Sequence, residues 1–225
     1  MGEVFSFIVN EMSEPLREGF FSSCALIACS VPFGLFLGFC VAVGWVYGGK
    51  IVSTLCRGYV LLIKGTPLLI LLFTIYFCLP TFGITLSPFV ASVVGFVLCN
   101  GAYNSEYIRG AILSVRTGQL TAARSLGMNQ LQAVLSIVLP QAARRALPGC
   151  SNEIIYLIKY SSLAYMLSFV ELTGTGKMLA TRSFRFTLVF SVVGAVYLFM
   201  VSVASILFAL VEKKYAVPGF ENKRQ

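Results

Sequence analysis

The sequence predicts an all-α integral membrane protein of five transmembrane helices. Its N-terminus is expected outside, its C-terminus in the cytoplasm, with a short cytoplasmic helical loop between spans three and four. Three observations predict this. Hydrophobic residues make up 57% of the 225 residues. Charged residues make up 12%, against about 25% in an average soluble domain. Stretches without any charge run to 31 residues over Gly19–Gly49 and 41 over Gly65–Ser105. One helical crossing needs only about 20. A soluble domain of this size could not hide so much apolar surface.

The first span is expected at about 21–46. It holds two GxxxG spacings, Gly34/Gly38 and Gly44/Gly48. Such spacing lets helices approach closely, although Gly is also simply common in membrane helices. The second span is expected at about 56–79, with Lys64 inside it, and the third at about 87–105. Leu79–Pro88 reads as the turn between them. The fourth, at about 147–170, holds Glu153 and Lys159, and the fifth, at about 186–211, is uncharged. The whole chain, 1–225, reads as a single transmembrane domain. The first 19 residues, with Glu3, Glu11, Glu14 and Glu18, are too polar for a cleavable signal peptide.

Orientation follows from the bases. Eleven of the 17 Lys and Arg, Lys223 and Arg224 among them, fall in one set of loops, and Arg17, Lys177, Arg182 and Arg185 in the other. Bases accumulate on the cytoplasmic side, so the C-terminus is expected there. The same rule accounts for the net charge of +8, and no nucleic-acid partner is expected.

There is no His, and the nine acids are all Glu. Ser-His-Asp and Cys-His catalysis, His zinc sites and Asp-held magnesium therefore lack their residues. No catalytic residue and no metal ligand is expected. The seven Cys form no CxxC pair and read as buried, inert thiols.

The loop of about 109–146 is patterned. Val115, Gln119, Ala122, Ala123 and Leu126 keep helical spacing, and Gly127 offers a stop. Leu131, Val134, Leu135 and Val138 form a second amphipathic helix, ended by Leu139-Pro140. From periodicity alone, the exposed face meets either a membrane surface or another protein.

The run Thr121-Ala122-Ala123, Gly127, Ile137, Leu139-Pro140 resembles the EAA loop of ABC importer permeases. Ser105–Ile112, Ser114–Gln119, Pro140–Arg144, Asn152-Glu153, Lys159–Leu163 and Lys64–Leu69 look like further elements of the polar amino acid permeases. Two departures stand out. Thr121 replaces the Glu of EAA; it can cap a helix start but cannot pair with an Arg. Lys64 replaces the Arg of RGTPLL, keeping the charge and losing the planar fork.

The resemblance implies the permease subunit of an importer in the cytoplasmic (inner) membrane of a bacterium, carrying a polar or basic amino acid. It implies an ABC ATPase that docks on the loop residues Thr121, Ala122, Ala123, Gly127, Ile137, Leu139 and Pro140. It also implies an extracytoplasmic solute-binding protein and a second permease chain, identical or not, in membrane lipid. No cofactor is expected in this chain. ATP and magnesium would belong to the ATPase, since Gly174-Thr175-Gly176-Lys177-Met178 lacks the first Gly and the Ser/Thr of a phosphate loop.

Span four carries a polar stripe. Asn152, Tyr156 and Lys159 fall at i, i+4, i+7, with Glu153 beside them. Ionisable groups in a membrane are costly unless paired or wet. These four suit a zwitterion, which needs a carboxylate for its ammonium and donors for its carboxylate. They also suit an internal network holding helices together. Thr66, beside Pro67, is a further pathway candidate. Glu106 either serves the pathway or pairs with Arg109 at i+3. The competing class is a stand-alone secondary carrier or channel, which would need no ATPase; no internal repeat favours it.

Overall fold

The computed structural model describes residues 6–215. The sequence-stretch ends holding Glu3, Lys223 and Arg224 lie outside them. The described residues are helical, without strands: α1 Ile8–Tyr47, α2 Lys50–Gly65, α3 Leu68–Phe82, α4 Pro88–Leu113, α5 Thr117–Ser125, α6 Gln130–Leu167, α7 Leu172–Ser183 and α8 Phe186–Tyr215.

α1 runs for 40 residues, about 60 Å at 1.5 Å per residue. That is roughly twice a hydrocarbon core of about 30 Å. Its central partner is α4, and glycine sets their distance. A Cβ at Gly34 would lie 2.5 Å from Asn100 Oδ1, and one at Gly38 would lie 2.8 Å from Asn104 Cβ. The first GxxxG is therefore a packing device. Against it sit two buried amides, with Asn104 Nδ2 donating to Asn100 Oδ1 at 2.7 Å. The second GxxxG does similar work where α1 turns into α2. A Cβ at Gly44 would come 3.1 Å from Cys56 Sγ, and one at Gly48 would come 2.8 Å from Val52.

The second predicted span is not one straight helix. α2 and α3 meet at a bend of 105° across Gly65-Thr66-Pro67. Thr66 is extended (φ −105°, ψ 129°), as the residue before a proline is driven to be. Its Oγ1 donates to the Leu62 carbonyl at 2.9 Å, occupying an acceptor at the helix end. α3 widens over Thr74–Cys78, tightens over Leu79–Phe82 and stops at Gly83, whose φ is +82°.

The second loop helix does not end at Pro140. α6 runs from Gln130 through Leu139-Pro140 and Pro148 to Leu167. One wide turn over Val134–Val138 precedes Pro140. There the Leu139 N–H reaches back to the Val134 carbonyl, giving the helix the slack a proline needs. A helix the sequence does not anticipate, α7, follows a 56° bend from α6, with Ser168 at φ +65°.

Glu171 caps α7 and is fully buried. Its carboxylate accepts from Thr173 N at 2.9 Å, Gly174 N at 3.0 Å and Tyr197 Oη at 2.7 Å; Ser23 Oγ donates at 3.4 Å. One acid thus joins α1, α7 and α8. The Gly174 and Gly176 of the phosphate-loop-like run serve packing. A Cβ there would come 2.7 Å from the Tyr165 ring and 2.6 Å from Val193.

α1 and α8 are long and apolar enough to cross a membrane, and the bent pairs α2–α3 and α6–α7 bring the number to four at most among the described residues. α4, at the third predicted span, is 26 residues long. Its Asn100, Asn104 and Ser105 lower its hydropathy and are buried against protein. α8 is apolar on all sides, with only 11% of its most apolar window buried, as suits contact with lipid. The expectation of buried thiols holds for Cys99 and Cys150; Cys29, Cys40 and Cys78 are exposed on helix faces.

Gly34→Leu is expected to destabilise the detergent-solubilised chain by about 1–3 kcal/mol, since the side chain has no room. Gly58→Ala, with nothing within 4 Å, is the control and leaves the melting temperature unlowered. Tyr197→Phe removes one hydrogen bond to a buried carboxylate and costs about 1.5–3 kcal/mol in the same melt.

Candidate functional site

Two features gather the candidate residues. The first is the loop. α5 holds Thr121, Ala122 and Ala123, with only Ala123 buried. Thr121 does not cap the helix: it lies one turn inside it, exposed, its hydroxyl donating to the Thr117 carbonyl at 3.3 Å. Gly127 closes α5 at φ +83°. The Gly127 N–H reaches the Arg124 carbonyl at 3.0 Å, and Met128 N–H reaches Ala123 at 3.1 Å. This is the double bond pattern of a left-handed helix stop. Two residues later Asn129 and Gln132 form a reciprocal capping box that starts α6.

The loop is braced against the rest of the chain. Gln141 Nε2 donates to Gln119 Oε1 at 2.5 Å and to the Ile137 carbonyl at 2.9 Å. Arg145 donates to the Ser114 carbonyl and hydroxyl at 2.5 and 2.9 Å, tying α6 to the end of α4. Ala133, Val134 and Val138 face inward; Ile137 and Leu139 are half-buried and Pro140 is exposed. Leu126, Leu131 and Leu135 stand outward, at 84%, 67% and 54% exposure. The amphipathic spacing thus leaves a row of leucines without a partner in this chain.

The second feature is a polar cluster between α2, α4 and α6. Lys64, in the last turn of α2, forms an ion pair with Glu106 of α4. Glu106 therefore pairs across helices, and the i+3 partner Arg109 instead lies 4.4 Å over the Trp45 ring of α1. Lys64 also sits 5.0 Å over the Tyr103 ring. Glu153 of α6 is 5% exposed, and no donor in the described residues hydrogen-bonds its carboxylate. It lies within electrostatic reach of Lys64, Tyr103 and Tyr107.

The stripe predicted on span four divides. Asn152, Tyr156 and Lys159 are exposed, whereas Glu153 turns inward. Tyr156 stacks on Tyr160 at 6.0 Å, and the Lys159 ammonium lies 4.1 Å over the Tyr156 ring. Thr66 sits at the α2–α3 bend two residues from Lys64. Sequence reasoning missed Lys64, Tyr103 and Tyr107 as neighbours of Glu153. Tyr103 and Tyr107, with Glu106, fall at i, i+3, i+4 on α4, a polar run in an apolar helix, which was the available signal. The arrangement offers buried negative charge, a half-exposed cation and tyrosine faces. Such a set can hold a small zwitterion or cation.

Comparison with known proteins places the whole chain. Residues 30–217 match the family described as binding-protein-dependent transport system inner membrane component. The nopaline transport system permease protein NocM of Agrobacterium fabrum is 40% identical over 173 residues, covering 72% of each chain. The glutamine transport system permease protein GlnP of Escherichia coli is 32% identical, covering 82% of this chain and 85% of that one. A crystal structure of an amino acid ABC transporter with histidines superposes with a TM-score of 0.84 at 30% identity, covering 90% of this chain and 94% of that one. The chain belongs to the family of binding-protein-dependent transport system inner membrane components, the permeases of ABC importers.

Proposed function

We propose that this chain is the permease subunit of an ATP-driven importer that carries a polar or basic amino acid across the bacterial inner membrane. The observation that carries the reading is the braced loop, which presents Leu126 outward at the end of α5 and Leu131 and Leu135 outward on α6, the helix that continues into the pathway. A flexible linker could not pass on a push; a helix running from Gln130 to Leu167 can. The partner that seats on those leucines is an ABC ATPase, which binds ATP and magnesium. Thr121 leaves that docking to apolar contact and shape, without the ion pair a Glu could make.

In this reading α2–α3 and α6–α7 are broken crossings and α4 a crossing lined by protein, giving five with the N-terminus outside. A second permease chain completes the pathway along the exposed Asn152, Tyr156 and Lys159. A solute-binding protein delivers substrate from outside. Glu153, buried and without a donor, takes the substrate's ammonium. Relatives named for nopaline and glutamine support an amino-acid cargo of polar character.

Leu131→Asp is expected to abolish co-purification of the ATPase and to cut energised uptake at least about tenfold, with the melting temperature little changed, because the residue is largely exposed. Retained ATPase binding and uptake would rule out docking at this row. Glu153→Gln is expected to raise the KM of uptake about tenfold or more, because a charge-assisted contact becomes neutral. The check is initial-rate uptake over a panel of polar and basic amino acids.

A further inference from the structure

Lys64 is placed unlike the other cations near the cluster. Arg109 is engaged on Trp45, and Lys159 lies over the outer ring of Tyr156. Lys64 pairs with Glu106 and lies within electrostatic reach of Glu153, which no donor among the described residues hydrogen-bonds. The side chains of the pair are 31% and 34% exposed, so the pair is reachable from the polar side. A half-exposed pair is worth little on its own and is readily exchanged. The Tyr103 ring supports the ammonium whether or not Glu106 stays bound. Lys64 also ends α2, where free carbonyls favour a cation, so it stays in place when its partner changes.

We propose that Lys64 is the anchor for the carboxylate of the carried amino acid, and that Glu106 is its resting counter-ion, displaced when substrate enters. This rests on the amino-acid reading above. The exchange is of like for like: the Lys64 ammonium leaves one carboxylate and receives another, and Glu153 receives the ammonium that arrives with it. The more buried acid, Glu153, is then paired, and the unpaired carboxylate is Glu106, whose side chain is 34% exposed and can be met by water. The exchange removes one of the links between α2 and α4 and leaves the Tyr59 hydroxyl bonded to the Leu98 carbonyl at 2.6 Å.

The test uses the permease complex in lipid nanodiscs. Calorimetry compares L-glutamine and L-arginine with their α-carboxamides, which keep the ammonium and lose the carboxylate. In the wild type the better-bound acid should exceed its amide by about 10–100-fold, the value of one charge-assisted contact. In Lys64→Gln the acid should weaken by that factor and the ratio fall to near one. In Glu106→Gln the ratio should persist and the acid should bind a few-fold more tightly, since its competitor is gone. Equal weakening in both variants would overturn the proposal, as would an unchanged ratio in Lys64→Gln. If Lys64→Gln does not fold, the sign in Glu106→Gln decides: a gain supports displacement and a loss overturns it. A wild type that binds neither these two nor any other member of the panel of polar and basic amino acids would instead refute the amino-acid reading itself, and this inference with it.

Discussion

The approach of α1 to α4 over Gly34 and Gly38 is the contact on which the rest of the chain depends. With no side chain on α1 at these positions, Asn100 and Asn104 fit beneath its backbone. In lipid there is little hydrophobic drive between helices, so close contact and hydrogen bonding must hold them. α4, once fixed, carries Tyr103, Glu106 and Tyr107 to the polar cluster and Ser114 to the loop. α2 and α6 then register on α4, through the Lys64–Glu106 pair and through Arg145 with Ser114. A shift of α4 would therefore move both the cluster and the loop.

Two buried glutamates show how the fold treats charge. Glu171 is fully buried and accepts hydrogen bonds from Ser23 of α1, Thr173 and Gly174 of α7 and Tyr197 of α8. It is a finished structural joint. Glu153 is almost as buried, yet no donor among the described residues hydrogen-bonds its carboxylate. An unmatched acid in an apolar chain is costly, and a fold that can complete one acid has left the other open. That contrast singles out Glu153 more sharply than burial or polarity alone.

The loop and the cluster share a helix. α6 begins at the capping box of Asn129 and Gln132, passes two prolines without stopping and carries Glu153 in its middle. The wide turn before Pro140 lets the helix continue where a strict 3.6-residue spiral would clash. In the proposed importer, this continuity joins the ATPase surface to the substrate group by one rigid element.

The sequence by itself determined the membrane class and the helical nature of the loop. Those follow from composition, from apolar spacing and from motif order, all of which are local. It also marked Gly127 as the helix stop, because a left-handed residue there is a property of a few neighbouring bonds. It misread Leu139-Pro140 as an end and did not foresee the size of the bend within 56–79. Proline's effect depends on the turn beside it, tolerated at Pro140 by a wide turn and decisive at Pro67. It grouped Glu153 with Lys159, since both lie on one segment. Only the tertiary structure decided that Glu153 turns inward and Lys159 outward, that Glu106 pairs with Lys64, and that Glu171 is a joint. Those facts depend on which faces of α2, α4 and α6 meet, and helical periodicity names a face without naming its partner.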